Sequence, residues 1–206
     1  VDDRQARHAR RWDQVADRYD ELSAGIERRL LAPSRPWVAG RARGEVLEVG
    51  VGTGANLPYY PPDVRLTCLE RSEPMLQQAR QRAADLGRPV TFVRGDAGAL
   101  DAEDASFDAV VSTFTLCCVP DVGAALAEMA RVLRPGGSLL LADHVASDRW
   151  WVRLPQALAD LVTVPLAGEH LGRRPAPLLA AVGLEVAESE RTSLGVVERV
   201  HARQPG

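Results

Sequence analysis

The sequence predicts an α/β fold: a single-domain, doubly wound sheet, parallel except for its last strand. Three observations predict it. From residue 45 onward, short apolar runs alternate with segments of helical period, the pattern of βαβ units. The first run ends directly in a cluster of glycines, the turn chemistry of a strand that feeds a ligand-binding loop. The last two runs flank a short turn at Gly195, which makes them a hairpin and reverses one strand.

Each element has its own warrant. Residues 2–32 are dense in charge and carry Trp12, Val15, Tyr19, Leu22, Ile26 and Leu30 at spacings of three and four, which predicts an amphipathic helix ended by Pro33 and Pro36. Strands are expected at 45–49, 66–69, 90–93, 107–112 and 138–142. A helix over 73–86 starts after Ser72, a suitable N-cap, and a second over 121–133 stops at Pro135-Gly136-Gly137. Residues 143–176, interrupted by Pro155 and Pro165, read as one or two short helices forming a cover. A helix over 174–182 stopping at Gly183 and strands at 184–190 and 196–202 complete the chain. The expected organisation is one domain: an N-terminal helical cap (1–40), a core (41–142), a cover (143–176), and a helix end with a hairpin (177–206).

Composition excludes several classes. With 206 residues the chain is long enough for one well-buried domain and too short for two large ones. The net charge of −3 leaves no basic surplus to neutralise phosphates, so no nucleic-acid partner is expected. Apolar stretches are broken before 18 residues, so no membrane-spanning helix is expected. The start VDDRQARHARRWD lacks an apolar signal core, and the reading is a cytoplasmic protein. All 25 basic residues are arginine. Without lysine there is no P-loop, no Schiff-base lysine and no kinase strand lysine. The missing lysines and the single isoleucine, Ile26, point to a GC-rich bacterial genome. Cys68, Cys117 and Cys118 match no zinc spacing and read as reduced; no metal is expected.

The strongest candidate site is Glu45-Val-Leu-Glu48-Val-Gly50-Val-Gly52-Thr-Gly54-Ala55. Small residues let the backbone pass against a ligand and aim free N–H groups at it. Taken alone, Gly50, Gly52 and Ala55 also satisfy a dinucleotide fingerprint, and Glu70, 20 residues after Gly50, suits a ribose diol in either case. Glu48 favours a cationic ligand over a pyrophosphate. Asp96, just after the third strand, could accept from an adenine amino group. A single-domain dehydrogenase would want a Tyr-x-x-x-Lys pair, and the chain has no lysine.

Taken together, Glu48-Val-Gly50-Val-Gly52-Thr-Gly54, Glu70, Gly95-Asp96-Ala97, Phe107-Asp108-Ala109-Val110-Val111 and Leu133-Arg134-Pro135-Gly136-Gly137 resemble the motif series of class I S-adenosylmethionine-dependent methyltransferases. The resemblance covers about residues 12–202. It implies a Rossmann-like, seven-stranded sheet with the last strand antiparallel, and S-adenosylmethionine as the cofactor. It also implies roles. Gly50, Gly52 and Gly54 would pass under the methionine portion. Glu48 would order its amino end, directly or through water. Glu70, with Arg71 beside it, would hold the ribose, Asp96 and Ala97 would read adenine, and Met75 would pack on the adenine face. Thr113 and Phe114 would lie beside the sulfonium. Tyr19 and Asp20 are similar to the Tyr-Asp pair that closes over the cofactor in the quinone-pathway C-methyltransferase group.

A second resemblance concerns the acceptor. Thr115-Leu-Cys117-Cys118-Val119, Asp143-His144-Val-Ala146 and Gly168-Glu-His170-Leu-Gly-Arg173 are similar to a group that includes small-thiol S-methyltransferases and phospholipid N-methyltransferases. The implied partner is a small-molecule acceptor. A hydroxyl or thiol acceptor benefits from a base, and His144 is the first candidate, His170 the second; each could instead hydrogen-bond the cover in place. Cys117 lines the substrate or is packed. Trp150 and Trp151 form an aromatic wall or anchor the cover. Arg173 holds an anion or pairs with a carboxylate. The run 154–166 lines an oily pocket or is core. Two other functions compete: a regulatory protein that binds the cofactor without turnover, and a nicotinamide-dependent oxidoreductase. A DPPY-type nucleic-acid motif is absent after the fourth strand, where the chain reads Ser112-Thr-Phe-Thr-Leu-Cys117.

Overall fold

The computed structural model describes residues 13, 14 and 16–206. Residues 2–12 of the expected first helix, Trp12 and Val15 of its stripe, and the side chains of Leu22, Ile26, Leu30 and Leu166 lie outside the described residues.

Seven strands form one sheet in the order β3-β2-β1-β4-β5-β7-β6. They are β1 (Glu45–Val49), β2 (Arg65–Glu70), β3 (Val90–Arg94), β4 (Phe107–Thr113), β5 (Leu133–His144), β6 (Glu185–Thr192) and β7 (Val197–Arg203). The pairs among β1 to β5 are parallel, and β7 runs antiparallel to both β5 and β6, as the hairpin predicted. Between β4 and β5 the register moves from Phe107–Leu133 to Ala109–Ser138, so the Pro-Gly-Gly turn bulges out of a longer strand.

Helices cover both faces: α1 (Tyr19–Ile26), α2 (Arg35–Ala39), α3 (Glu73–Asp85), α4 (Val122–Val132) and α5 (Trp150–Ala167). Alternation along β1 builds two cores. Leu47 and Val49 pack with Leu126 and Met129 of α4 on one face, while Val46 packs with Val38 of α2 and Leu76 and Ala79 of α3 on the other. Glu48 shares the Val46 face.

Several expectations need correction. Pro33 and Pro36 do not end the first helical region. It continues as a π turn (Glu27–Leu31), a 3-10 turn (Ala32–Ser34) and α2, each proline sitting in a first turn where its missing N–H costs nothing. Ser72 holds the N-cap position of α3 as expected, but its side chain makes no capping bond; its hydroxyl donates to Asp13 Oδ1 at 2.6 Å. Asp121, read as the first residue of the second helix, stands just before it and caps α4, accepting from Ala124 N at 3.0 Å. The cover holds one 18-residue helix, α5, with both prolines inside it and Gly168 in the left-handed conformation at its end. Residues 174–182 are two 3-10 turns, Ala176–Leu178 and Ala180–Val182, stopping at Gly183 as expected. β6 is a free edge whose residues 185–190 are exposed.

Candidate active site

An open cleft lies at the carboxyl edge of β1 to β4, the edge where open α/β sheets bind ligands. Four chain segments supply its walls, each following a strand: residues 50–53, 69–72, 95–97 and 113–115.

The floor is the glycine turn. Gly50 N and Val51 N both donate to Leu69 O, at 2.8 and 3.1 Å, which pins the turn to β2. Gly50 has φ +76°, and a Cβ there would land inside the Thr115 side chain. Gly52 has φ +55° with open space where a Cβ would point, so only its backbone conformation demands glycine. Its N–H donates to Glu70 Oε2 at 3.0 Å, while Glu70 Oε1 accepts from Arg71 N and Ser72 N at 2.8 and 2.9 Å. Burial raises the Glu70 pKa, and these three N–H groups work against that rise. A carboxylate has about four acceptor positions, so one remains for a ligand.

The structure brings Tyr19, Gly50, Gly52, Glu70, Arg71, Met75, Asp96, Ala97, Thr113 and Phe114 into this one cleft. Asp96 Oδ1 accepts from Gly98 N at 2.9 Å, and Oδ2 pairs with Arg71 at 3.2 Å. Phe114 has φ +52°, strained for an aromatic residue, and its ring lies 5.0 Å from that of His144.

Other expected residues stand elsewhere. Gly54 packs toward Leu57 and Ala79 and lies outside the lining. Glu48 sits beneath the floor, fully buried, accepting from Asn56 Nδ2 at 2.7 Å and Tyr60 OH at 2.9 Å. Burial pushes its pKa up to about 7, against those hydrogen bonds and the nearby Arg35. Cys117 is buried and Cys118 takes the place in the lining. Arg173 donates to the carbonyls of Leu116 and Val119, so it clamps the loop after β4. His144 sits behind Phe114, outside the lining; its Nδ1 makes no hydrogen bond and lies 3.7 Å from Glu169. Burial lowers its pKa to about 4. His170 N donates to Cys117 O in the cover. Trp150 and Trp151 point to solvent and neither wall the cleft nor anchor α5.

One group was missed. Arg35, on α2, lines the cleft, and its NH1 donates to Asn56 Oδ1 at 2.9 Å. Its NH2 donates to Glu27 at 2.7 Å, and the guanidinium lies 5.5 Å over the Phe114 ring. Burial opposes its charge, but Glu27, Glu48 and Tyr19 together outweigh burial and raise the pKa. Glu48, Asn56, Thr113 and Arg35 thus form one connected network under and beside the floor. No spacing rule points to a lone arginine in Pro-Ser-Arg-Pro.

A family profile described as "Methyltransferase domain" matches residues 47–141, the segment from β1 into β5 that builds the cleft. A demethylmenaquinone methyltransferase of Roseiflexus castenholzii is 31% identical over 173 residues, covering 81% of this chain and 72% of that one. The chain belongs to the methyltransferase domain family. A phosphatidylethanolamine N-methyltransferase of Cereibacter sphaeroides is 44% identical over 108 residues, covering 52% of this chain and 53% of its own. The chain spans about half the length of the first curated relatives it matches. Among solved structures, a SAM-dependent methyltransferase from Thermotoga maritima superposes with a TM-score of 0.71 at 20% identity, covering 95% of this chain and 99% of that one. That likeness concerns the fold. The family segment stops before α5, so the cover and the terminal hairpin lie beyond the profile.

Proposed function

We propose that this chain transfers a methyl group from S-adenosylmethionine to a small-molecule acceptor. The observation that carries the reading is the pairing of Glu70 with Gly52 N at the cleft floor, with Asp96 on the next strand end and open space above Gly52. The donor set fits the cofactor. A desolvated carboxylate with a spare acceptor position suits a ribose diol, a positive-φ glycine backbone suits close passage of the methionine part, and Met75 and Ala97 offer apolar contact for adenine. In this reading residues 41–142 hold the cofactor, and 143–176 cover the acceptor. Arg35 would face the cofactor's carboxylate, and Glu48 acts through Asn56 by fixing Arg35 and Thr113 in place.

S-adenosylmethionine, when bound, supplies an electrophilic methyl group on a sulfonium. The protein's part is to hold an acceptor in line at near-attack distance and to exclude water. Tyr19, Phe114 and Cys118 border the space where an acceptor would enter. At neutral pH His144 carries no charge, and a pKa near 4 lies below the range of an effective base. With neither His144 nor His170 in the cleft lining, the acceptor in this reading is one that arrives as a nucleophile, such as a thiolate or phenolate, or one whose proton leaves to solvent. His144 supports Phe114 from behind. We place the protein in the cytoplasm; among the described residues no helix is long and apolar enough to cross a membrane.

Calorimetry with S-adenosylmethionine, S-adenosylhomocysteine and NADH tests the reading. Binding of the first two without NADH supports it. Product analysis with small thiols and phenols then tests turnover, and binding of NADH alone would sink the proposal.

A further inference from the structure

α5 is turned inside out. Its polar side chains face the protein. Gln156 accepts from Ser147 N and donates to Val145 O, both at 2.9 Å; Asp160 accepts from Leu171 N at 2.7 Å; Thr163 donates to Glu169 O at 2.9 Å. Its large apolar side chains face away. Trp150 is 73% exposed, Leu154 60%, Leu158 59% and Leu161 72%, a stripe at spacings of three and four flanked by Trp151 and Val162. Of the eleven large hydrophobic residues exposed among the described residues, six lie on this helix. A surface helix in water ordinarily shows the reverse arrangement.

We propose that α5 is a docking surface for an anionic phospholipid bilayer and lies flat in its headgroup region. Charge selects this occupant. The outward face carries one charged residue, Arg153, and Arg149 precedes the helix with its guanidinium 5.9 Å over the Trp151 ring. Neither arginine forms an ion pair among the described residues. Asp160, the one carboxylate on the helix, is held at the protein side by the backbone of Leu171 and Gly172, and the exposed Asp148 before the helix lies beside Gly195. Tryptophans and arginines at one end with leucines beyond is the chemistry of an interfacial helix. At 18 residues α5 is about 27 Å long, and it falls short of the apolarity needed to span. The proposal concerns this surface and stands whether or not the cleft transfers methyl groups.

The test is flotation of the full chain with two kinds of vesicle, phosphatidylcholine alone and phosphatidylcholine with a third phosphatidylglycerol. The chain should float with the anionic vesicles, and its tryptophan emission should shift to shorter wavelength. Leu158→Glu/Leu161→Glu, which alters only exposed positions, should keep the wild-type melting temperature and lower partitioning by about tenfold or more. Arg149→Gln/Arg153→Gln should remove most of the preference for anionic lipid. A wild-type chain that stays out of both vesicle fractions overturns the proposal, as does a glutamate variant that floats equally well. If sedimentation instead shows a dimer that Leu158→Glu/Leu161→Glu splits, the occupant is a second copy and the bilayer proposal fails.

Discussion

The cleft floor and the cover helix solve opposite problems with the same residue types. At the floor, apolar side chains such as Leu76 and Val49 are buried and the polar groups between them are tied to backbone or to each other. On α5, polar side chains do the holding and apolar ones are left outside. The difference teaches that helical periodicity reports two faces without saying which one meets the protein. The floor is determined by the chain's own packing. The outer face of α5 is left exposed by that packing.

Four measurements would break or sharpen that contrast. The largest effect is expected for Leu76→Ala, which empties a fully buried position on α3 and should lower unfolding free energy by about 2–5 kcal/mol. Next comes the pH response of Glu48. Its pKa is near 4.5 when unfolded and about 7 when folded, so its protonated form stabilises the fold below about pH 4.5. That contribution is lost as pH rises through 7. Between about pH 5 and pH 8 the wild type should lose up to roughly 3 kcal/mol more than Glu48→Gln in denaturant titrations. Equal slopes would mean that the carboxylate is not desolvated. Third, Glu70→Ala should weaken S-adenosylmethionine binding by about 1–3 kcal/mol in calorimetry, since three N–H groups lose their acceptor along with the ligand. Unchanged affinity would remove the cleft from the reading. The smallest effect belongs to Leu161→Ala on α5, which should move stability in water by less than about 0.5 kcal/mol. A loss comparable with that of Leu76→Ala would show the stripe to be packed and the contrast false.

Much of the fold was legible because its signals are local. Strand period, the Gly50–Gly54 turn and Gly183 as a stop each act within a few residues. The seven-stranded count with an antiparallel last strand followed from the hairpin and the family resemblance. The cleft was legible where residues follow strand ends, as Glu70 and Asp96 do. Glu48 was harder. Its two-residue offset from Gly50 says it is close, but strand alternation turns it to the Val46 face, beneath the floor. Arg35 was invisible, because it reaches the cleft through a π turn and two short helical turns that no period announces. Trp150 and Trp151 suggested packing because bulky apolar residues usually pack; the hydrogen bonds of Gln156 and Asp160, which orient the helix, reach nine and eleven residues along the chain to loops that no period announces.

The β6 edge of the sheet has a consequence for crowded solution. β6 pairs with β7 on one side only, and it carries Glu185, Glu188 and Glu190, the last two paired with Arg41 and Arg199. A strand from another molecule that tried to extend the sheet there would lie beside charged side chains and not beside an apolar row. Growth by strand addition is thus discouraged at the β6 border, the one that adjoins the terminal hairpin.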